Sequence, residues 1–156
     1  MSLNRDVIIK CLGHSTFLFT TPGGQKLLID PWVQSNPACP TEHKTIESLD
    51  TMLITHAHFD HMQDVVAIAK DHQPQIGCIL EIENWLERQN ISNVNGMNKG
   101  GSQKLNDVRI TMVDARHSSG ILEQDGSISH GGEAAGYIVE FENGFRIYHA
   151  GDTSVF

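Results

Sequence analysis

The run Thr55-His56-Ala57-His58-Phe59-Asp60-His61 constrains this chain more than any other feature of its sequence. Three imidazoles and one carboxylate fall within six residues, directly after a short apolar stretch that predicts a buried strand. Side chains two residues apart in an extended chain project to the same side, so His56 and His58 could hold one cation. Asp60 and His61 continue into the next predicted helix and could hold a second cation. The alternative, a helix start capped by Asp60, leaves the histidines unexplained.

The remaining sequence predicts alternating strands and helices after an N-terminal β-meander. Strands are predicted over Asp6–Leu12, Ser15–Thr21, Lys26–Asp30, Thr51–Thr55, Ile76–Leu80, Val108–Val113, Ala135–Phe141 and Phe145–His149. Apolar side chains at helical spacing predict one helix from Met62 to His72 and another from Ile82 to Gln89. Pro31–Thr45 and Ala115–Glu133 are predicted to be loops. This alternation indicates one layered α/β domain covering residues 1–156.

A tight hairpin is predicted between the last two strands. Asn143-Gly144 is a strong hairpin signal, since a type I′ turn needs positive φ at both central residues. Gly100-Gly101-Ser102 follows no predicted strand and opens no predicted helix, so it makes a weak phosphate cradle.

Charge and composition narrow the classes of function. A net charge of −8 disfavours a general nucleic-acid binder, unless bound metals create a local positive site. No stretch approaches the ~20 apolar residues of a membrane span, and the N-terminus lacks the layout of a signal peptide. The three scattered cysteines, Cys11, Cys39 and Cys78, are expected to be buried free thiols of a reducing compartment. We therefore expect a cytoplasmic protein that does not bind membranes.

The histidine run resembles the central motif of the metallo-β-lactamase superfamily. Four other segments, in order along the chain, are similar to a branch of uncharacterised metal-dependent hydrolases close to the ascorbate-6-phosphate lactonases. They are Gly13-His14-Ser15, Leu28-Ile29-Asp30-Pro31, Gly100-Gly101-Ser102 and Tyr148-His149-Ala150-Gly151-Asp152-Thr153. The resemblance covers essentially the whole chain and implies the α/β fold of that family, an αββα sandwich.

The resemblance implies two further metal ligands. His117 alone would more often be a hydrogen-bonded loop residue, but it stands where the family places the third histidine of the first metal. Asp152 could be a turn aspartate after Gly151, and it matches the carboxylate that bridges the family's two metals. The predicted ligands are His56, His58, Asp60, His61, His117 and Asp152. Two divalent ions are expected, and these ligand types do not separate Zn²⁺ from Mn²⁺.

Several residues beside the predicted ligands keep alternative interpretations. Asp30 either accepts the outer N–H of a ligand histidine or forms a turn before Pro31. His14 either faces the site or lies in the core. The other histidines are predicted to be structural or on the surface: His149 is structural, and His43, His72 and His130 are on the surface.

The ligand set implies a hydrolase in which a metal-bridged hydroxide attacks a small ester, lactone or phosphodiester. Asp60 and Asp152 would be the catalytic carboxylates as well as ligands. A nuclease of the same fold and an inactive metal-binding fragment of a larger protein remain alternatives. A β-lactam substrate is favoured only by fold analogy. The expected partner is a small-molecule substrate, and assembly into homo-oligomers is left open.

The resemblance also carries an expectation about the extent of the chain. Family members continue past the Gly-Asp-Thr segment and supply one more histidine to the second metal. Residues 1–156 are therefore predicted to be about the N-terminal two-thirds of the fold, incomplete at the C-terminus, with an uncovered strand edge and apolar face. Such a fragment is expected to hold the first metal better than the second.

Overall fold

Two β-sheets carry the fold of residues 6–156, the part of the chain that the computed structural model describes. The first sheet has six strands in chain order, antiparallel up to β3 and parallel from β3 onward. Its strands are β1 (Ile8–Cys11), β2 (Phe17–Thr20), β3 (Lys26–Ile29), β4 (Thr51–Leu53), β5 (Gln75–Ile79) and β6 (Val94–Met97). Every residue of β4 is buried, which confirms the prediction of a strand enclosed on both faces.

The second sheet is antiparallel, with the strand order β12-β11-β8-β7. Its strands are β7 (Ser102–Leu105), β8 (Val108–Asp114), β11 (Ala135–Glu140) and β12 (Arg146–His149). A small separate hairpin, β9 (Gly120–Leu122) and β10 (Ile128–His130), lies between β8 and β11 along the chain.

Three α-helices connect the parallel strands of the first sheet: α1 (Phe59–Met62), α2 (Val65–His72) and α3 (Leu80–Arg88). A 3-10 turn, Thr41–His43, precedes β4. Val65, Ile68 and Ala69 form the buried face of α2, at the helical spacing that the sequence predicted. Within residues 6–156, no helix is both long and apolar enough to cross a bilayer.

The main apolar core lies between the two sheets. Tyr137 of β11 is fully buried, and its hydroxyl donates toward the carbonyl oxygens of Ile54 and Gly77 at 2.8 and 3.2 Å. A Cβ on Gly77 would lie 2.7 Å from Cδ1 of Ile110, so the two sheets approach closely at this glycine. This contact fixes the second sheet against the end of β4, directly before the histidine run.

The predicted type I′ turn at Asn143-Gly144 is wrong, although the hairpin itself is confirmed. Only Gly144 has a positive φ, 76°, and its N–H donates to the carbonyl of Phe141 at 2.8 Å. The N–H of Phe141 in turn donates to the carbonyl of Phe145 at 2.9 Å. This is a three-residue connection with a left-handed glycine at its end, because Asn143 uses its side chain to accept the Phe145 N–H instead of adopting positive φ.

Other element boundaries also differ from prediction. The loop predicted over Ala115–Glu133 contains the β9–β10 hairpin, and two strands were missed, β6 and β7. Gly100-Gly101-Ser102 follows β6 and leads into β7, with Gly100 at φ 86°. The helix predicted from Met62 to His72 begins later, as α2 from Val65, and Met62 instead ends α1. The strands β6 and β7 were missed because their polar residues give no alternating pattern of apolar and polar side chains.

Among the cysteines, Cys39 and Cys78 are buried as expected, whereas Cys11 is exposed. All three are free thiols. The prediction for Cys11 is wrong because β1 is an edge strand in which all four residues are exposed.

Candidate metal centre

The histidine run begins where β4 ends and closes with the first turn of α1. The backbone N–H of Ile54 donates to the Gly77 carbonyl on β5 at 3.1 Å, which holds the chain extended past the strand. His56 and His61 are fully buried, whereas His58 is half-buried and turned toward the opening. The run therefore presents its imidazoles at the carboxyl edge of the parallel strands, where sites in such sheets form.

A first group of ligand atoms consists of His56, His58 and His117. Their ligand nitrogens all lie within 4.8 Å of one another, and Nε2 of His56 is 3.1 Å from Nδ1 of His58. Two imidazole nitrogens at that distance either share one proton or point their lone pairs at a common cation. His117 follows the end of β8 and brings the second sheet to the site. The structure thus brings together the three histidines that were predicted to hold the first metal.

Asp152 lies between this group and His61. Its Oδ2 is 3.5 Å from Nε2 of His61 and 3.8 Å from Nε2 of His117. His56, His61 and Asp152 form a second compact group of ligand atoms. This central position is the one that a carboxylate shared by two cations requires.

A third group consists of His14, Asp60 and His61. Nε2 of His14 is 3.0 Å from Oδ2 of Asp60, and the His14 and His61 ring centroids are 5.1 Å apart. All six predicted ligands therefore belong to one continuous cluster, which also includes His14.

His14 was left undecided between the site and the core, and it was absent from the predicted ligand set. Its side chain is 36% exposed and faces Asp60, so it is not a core residue. Its φ of 53° and the φ of 96° at Gly13 form a tight turn, and a Cβ on Gly13 would lie 2.7 Å from that of Ala38. The Gly-His-Ser segment was the only sequence signal for this histidine.

Buried hydrogen bonds set the tautomers of the inner histidines. Asp30 is fully buried, and its Oδ2 accepts from Nδ1 of His61 at 2.9 Å and from the Thr55 hydroxyl at 2.7 Å. Because that hydroxyl proton points to Asp30, its oxygen accepts Nδ1–H of His56 at 3.0 Å. In their neutral forms, both inner imidazoles therefore direct an unprotonated Nε2 into the cluster, and Asp30 has the ligand-orienting position that was one of its two predicted roles.

Nε2 of His61 is buried and has no hydrogen-bond partner among residues 6–156. An unsatisfied buried nitrogen costs about 1–3 kcal/mol, so its position calls for a missing partner. A divalent cation held beside Asp152 would supply that partner. The donor set of imidazoles and carboxylates fits such a cation.

The electrostatics favour the ligand-competent protonation states. Burial lowers the pKa of His56 to about 4, with the positive charge of His61 adding to the effect. Burial and the neighbouring His117 lower the pKa of His58. Burial opposes ionisation of Asp152, but the surrounding imidazoles, with His61 first, lower its pKa overall. Neutral imidazoles beside an ionised carboxylate are the forms that bind metals.

His61 differs from the other histidines of the cluster. Burial disfavours its charged form, but the hydrogen bond and charge of Asp30, helped by Asp152 and Asp60, raise its pKa overall. The neighbouring carboxylates therefore stabilise the charged form of this imidazole.

The other histidines lie outside the three ligand groups. His149 donates from Nε2 to the Ser15 carbonyl at 3.2 Å and accepts the Gly151 N–H on Nδ1, so its role is structural, as predicted. His130 is exposed, and His43 and His72 are half-buried.

The family model for the β-lactamase superfamily domain matches residues 25–156. A UPF0173 metal-dependent hydrolase of Koribacter versatilis is 51% identical over 148 residues, which cover 95% of this chain and 63% of the relative. One of Rubrobacter xylanophilus is 46% identical over 148 residues, covering 95% and 61%. The chain thus spans less than two-thirds of the length of these relatives.

A solved structure supports the same relationship. Igni18, a metallo hydrolase from the archaeon Ignicoccus hospitalis, superposes with a TM-score of 0.77 at 31% identity. The match covers 96% of this chain and 62% of that protein. With the family model and the named relatives, this identifies the fold predicted from the histidine run. The chain belongs to the metallo-β-lactamase superfamily.

Proposed function

We propose that this chain provides the site of a binuclear metal-dependent hydrolase that acts on a small ester, lactone or phosphodiester. The observation that carries the proposal is the pair of inner imidazoles, His56 and His61, whose outer nitrogens are held by Thr55 and Asp30. Their inner nitrogens are left for a cation, and that of His61 has no hydrogen-bond partner among the described residues. The relatives named as metal-dependent hydrolases support the reaction class.

In this proposal the ligands are divided between two positions. His56, His58 and His117 would hold the first cation. Asp60, His61 and His14 would hold the second, with Asp152 between the two positions. When bound, divalent cations supply a Lewis acid and a water nucleophile active near neutral pH. Nitrogen and oxygen donors without thiolate suit Zn²⁺ or Mn²⁺.

The chain's own residues would orient the substrate and limit water. His56 and His61 close the inner side of the cluster, whereas the exposed His117 and the half-buried Asp152 leave the outer side open to a substrate. Ser118 lies 3.1 Å from Nε2 of His58, and this contact turns Nδ1 of that ring toward the cluster. A serine or cysteine nucleophile is not required.

A small-molecule substrate in the cytoplasm is favoured over nucleic acid. The chain carries a net charge of −8. Two positively charged side chains near the site already have partners within the chain. Lys99 pairs with Asp114 at 2.6 Å, and the Arg116 guanidinium lies over the Phe156 ring at 5.1 Å. The described residues therefore provide little free positive charge for a phosphate backbone, which argues against the nuclease alternative.

The test is metal content and turnover of the intact natural protein that carries this chain. Elemental analysis should find about two transition-metal ions per protein, and His58→Ala should remove most of the first. His72→Ala is the control, because His72 is outside the cluster, and it should keep the parent's metal content. Metal-dependent hydrolysis should appear in a panel of acetyl esters, lactones and phosphodiesters. Equal metal in His58→Ala and the parent, or metal without any turnover, would reject the assignment.

A further inference from the structure

An apolar pocket of about 560 Å³ opens directly beside the candidate metal centre. His58, Asp60 and Ser118 line the side nearest the ligand cluster. The apolar wall of the pocket is made of Phe59, Leu122 and Ile128. A volume of this size lies in the range of pockets that bind small molecules.

The wall exposes three large apolar side chains at one place. The exposed fractions are 55% for Phe59, 59% for Leu122 and 76% for Ile128. Leu122 and Ile128 are paired across the β9–β10 hairpin, so their side chains stand on the same face. Phe59 comes from the start of α1, and it therefore belongs to a different part of the chain. Such convergence of exposed apolar surface marks a binding site more often than a solvated surface.

The histidine run itself holds the hairpin in place. The N–H of Ala57 donates to the Ser119 hydroxyl at 3.1 Å, and that hydroxyl donates to the Gly131 carbonyl at 3.0 Å. The N–H of Gly131 completes the link by donating to the Ser119 carbonyl at 3.0 Å. The apolar wall is therefore held near the metal ligands by three hydrogen bonds, of which the one from Ala57 to Ser119 joins the histidine run to the base of the hairpin.

We propose that this pocket binds the hydrocarbon chain of the substrate while its polar group lies at the ligand cluster. Resting on the proposed function, this makes the substrate an ester or lactone with an acyl chain of several carbons, in preference to a phosphodiester. The pocket is continuous with the ligand cluster, because His58 and Asp60 are both candidate metal ligands and lining residues of the pocket. This continuity supports the substrate's hydrocarbon chain as the occupant. A substrate held there has its carbonyl close to the ligands and its chain away from water.

The test uses the intact, metal-loaded protein and calorimetric titration with acetate, butanoate, hexanoate and octanoate. A carboxylate is a general ligand for metal centres, so the series varies only the chain. We expect Kd to fall roughly fourfold for each added methylene until the pocket is filled. Leu122→Ser and Ile128→Ser should flatten this dependence on chain length. Ile8→Ser, at an isoleucine that is 53% exposed at the start of β1, should keep it.

The possible results distinguish failure of the pocket proposal from failure of the proposed hydrolase function. Equal Kd values for acetate and octanoate would overturn the pocket proposal. A dependence of Kd on chain length that persists in both Leu122→Ser and Ile128→Ser would overturn it as well. Pocket occupation by another part of the intact protein would give the first of these results. Failure of the proposed function would instead appear as carboxylate binding that is the same with and without metal, together with no metal-dependent turnover of any acetyl ester.

Discussion

The inner and outer halves of the candidate metal centre are built differently. In the inner half, His56 and His61 are fully buried, and Asp30 and Thr55 hold their outer nitrogens through buried hydrogen bonds. In the outer half, His117 and His14 are exposed and come from loops. The inner half therefore ties metal binding to the stability of the fold, whereas the outer half can vary with the substrate at little cost to the fold.

The largest effect on stability is expected for Asp30→Ala. The substitution leaves Nδ1 of His61 and the N–H and hydroxyl of Thr55 without an acceptor in the interior. We expect the free energy of unfolding without metal to fall by about 3–5 kcal/mol, the cost of breaking a buried pair. Urea denaturation in the presence of a chelator measures it. Asp60→Ala in the outer half is the control and should cost less than ~1 kcal/mol, and equal losses would remove the distinction between the halves.

Asp152→Asn is expected to separate turnover from stability. The substitution keeps the shape of the side chain but removes the charge between the two ligand groups. Turnover of the intact protein should fall by about 100-fold or more, beyond the loss typical of outer partners of metal ligands. The free energy of unfolding should stay within ~0.5 kcal/mol of the parent, because the side chain is 34% exposed. An active variant with unchanged metal content would show that the carboxylate is not shared.

Thr55→Val tests how far orientation of the inner imidazoles controls metal affinity. Valine has the same shape but neither accepts Nδ1–H of His56 nor donates to Asp30. We expect metal affinity, measured by competition with a chromophoric chelator, to fall about 10–100-fold. Thr111→Val on β8, which loses only a contact with the Ser102 hydroxyl, is the matched control. Equal affinity in both variants would mean that the Thr55 hydroxyl does not act through His56.

Ser118→Ala should have the smallest effect in this series. It removes the 3.1 Å contact to Nε2 of His58, but Ser118 is exposed and water can replace its hydroxyl. We expect metal affinity to fall less than about tenfold, at the lower limit for outer partners of metal ligands. The same competition assay measures it. A loss as large as that of Thr55→Val would show that the outer half is as strictly ordered as the inner half.

The sequence by itself determined the fold class and the ligand cluster. The histidine run contains four ligand types within one local segment, and the apolar stretch before it places that segment at a sheet edge. His117 and Asp152 entered the prediction through family resemblance, and the structure brings both to within 4 Å of each other. Local chemistry was sufficient for the histidine run, because residues that are neighbours in the sequence are necessarily neighbours in space.

Only the tertiary structure decided the role of His14 and the existence of the apolar pocket. His14 meets Asp60, and Phe59 meets the β9–β10 hairpin, across long separations in sequence that no local pattern encodes. Asp30 is a further case, since its partner Thr55 follows β4 and its partner His61 lies in α1. Periodicity reports which face of an element is apolar, but packing of the two sheets decides which faces and loops meet. The inner partners and the specificity of the site are therefore products of the complete fold.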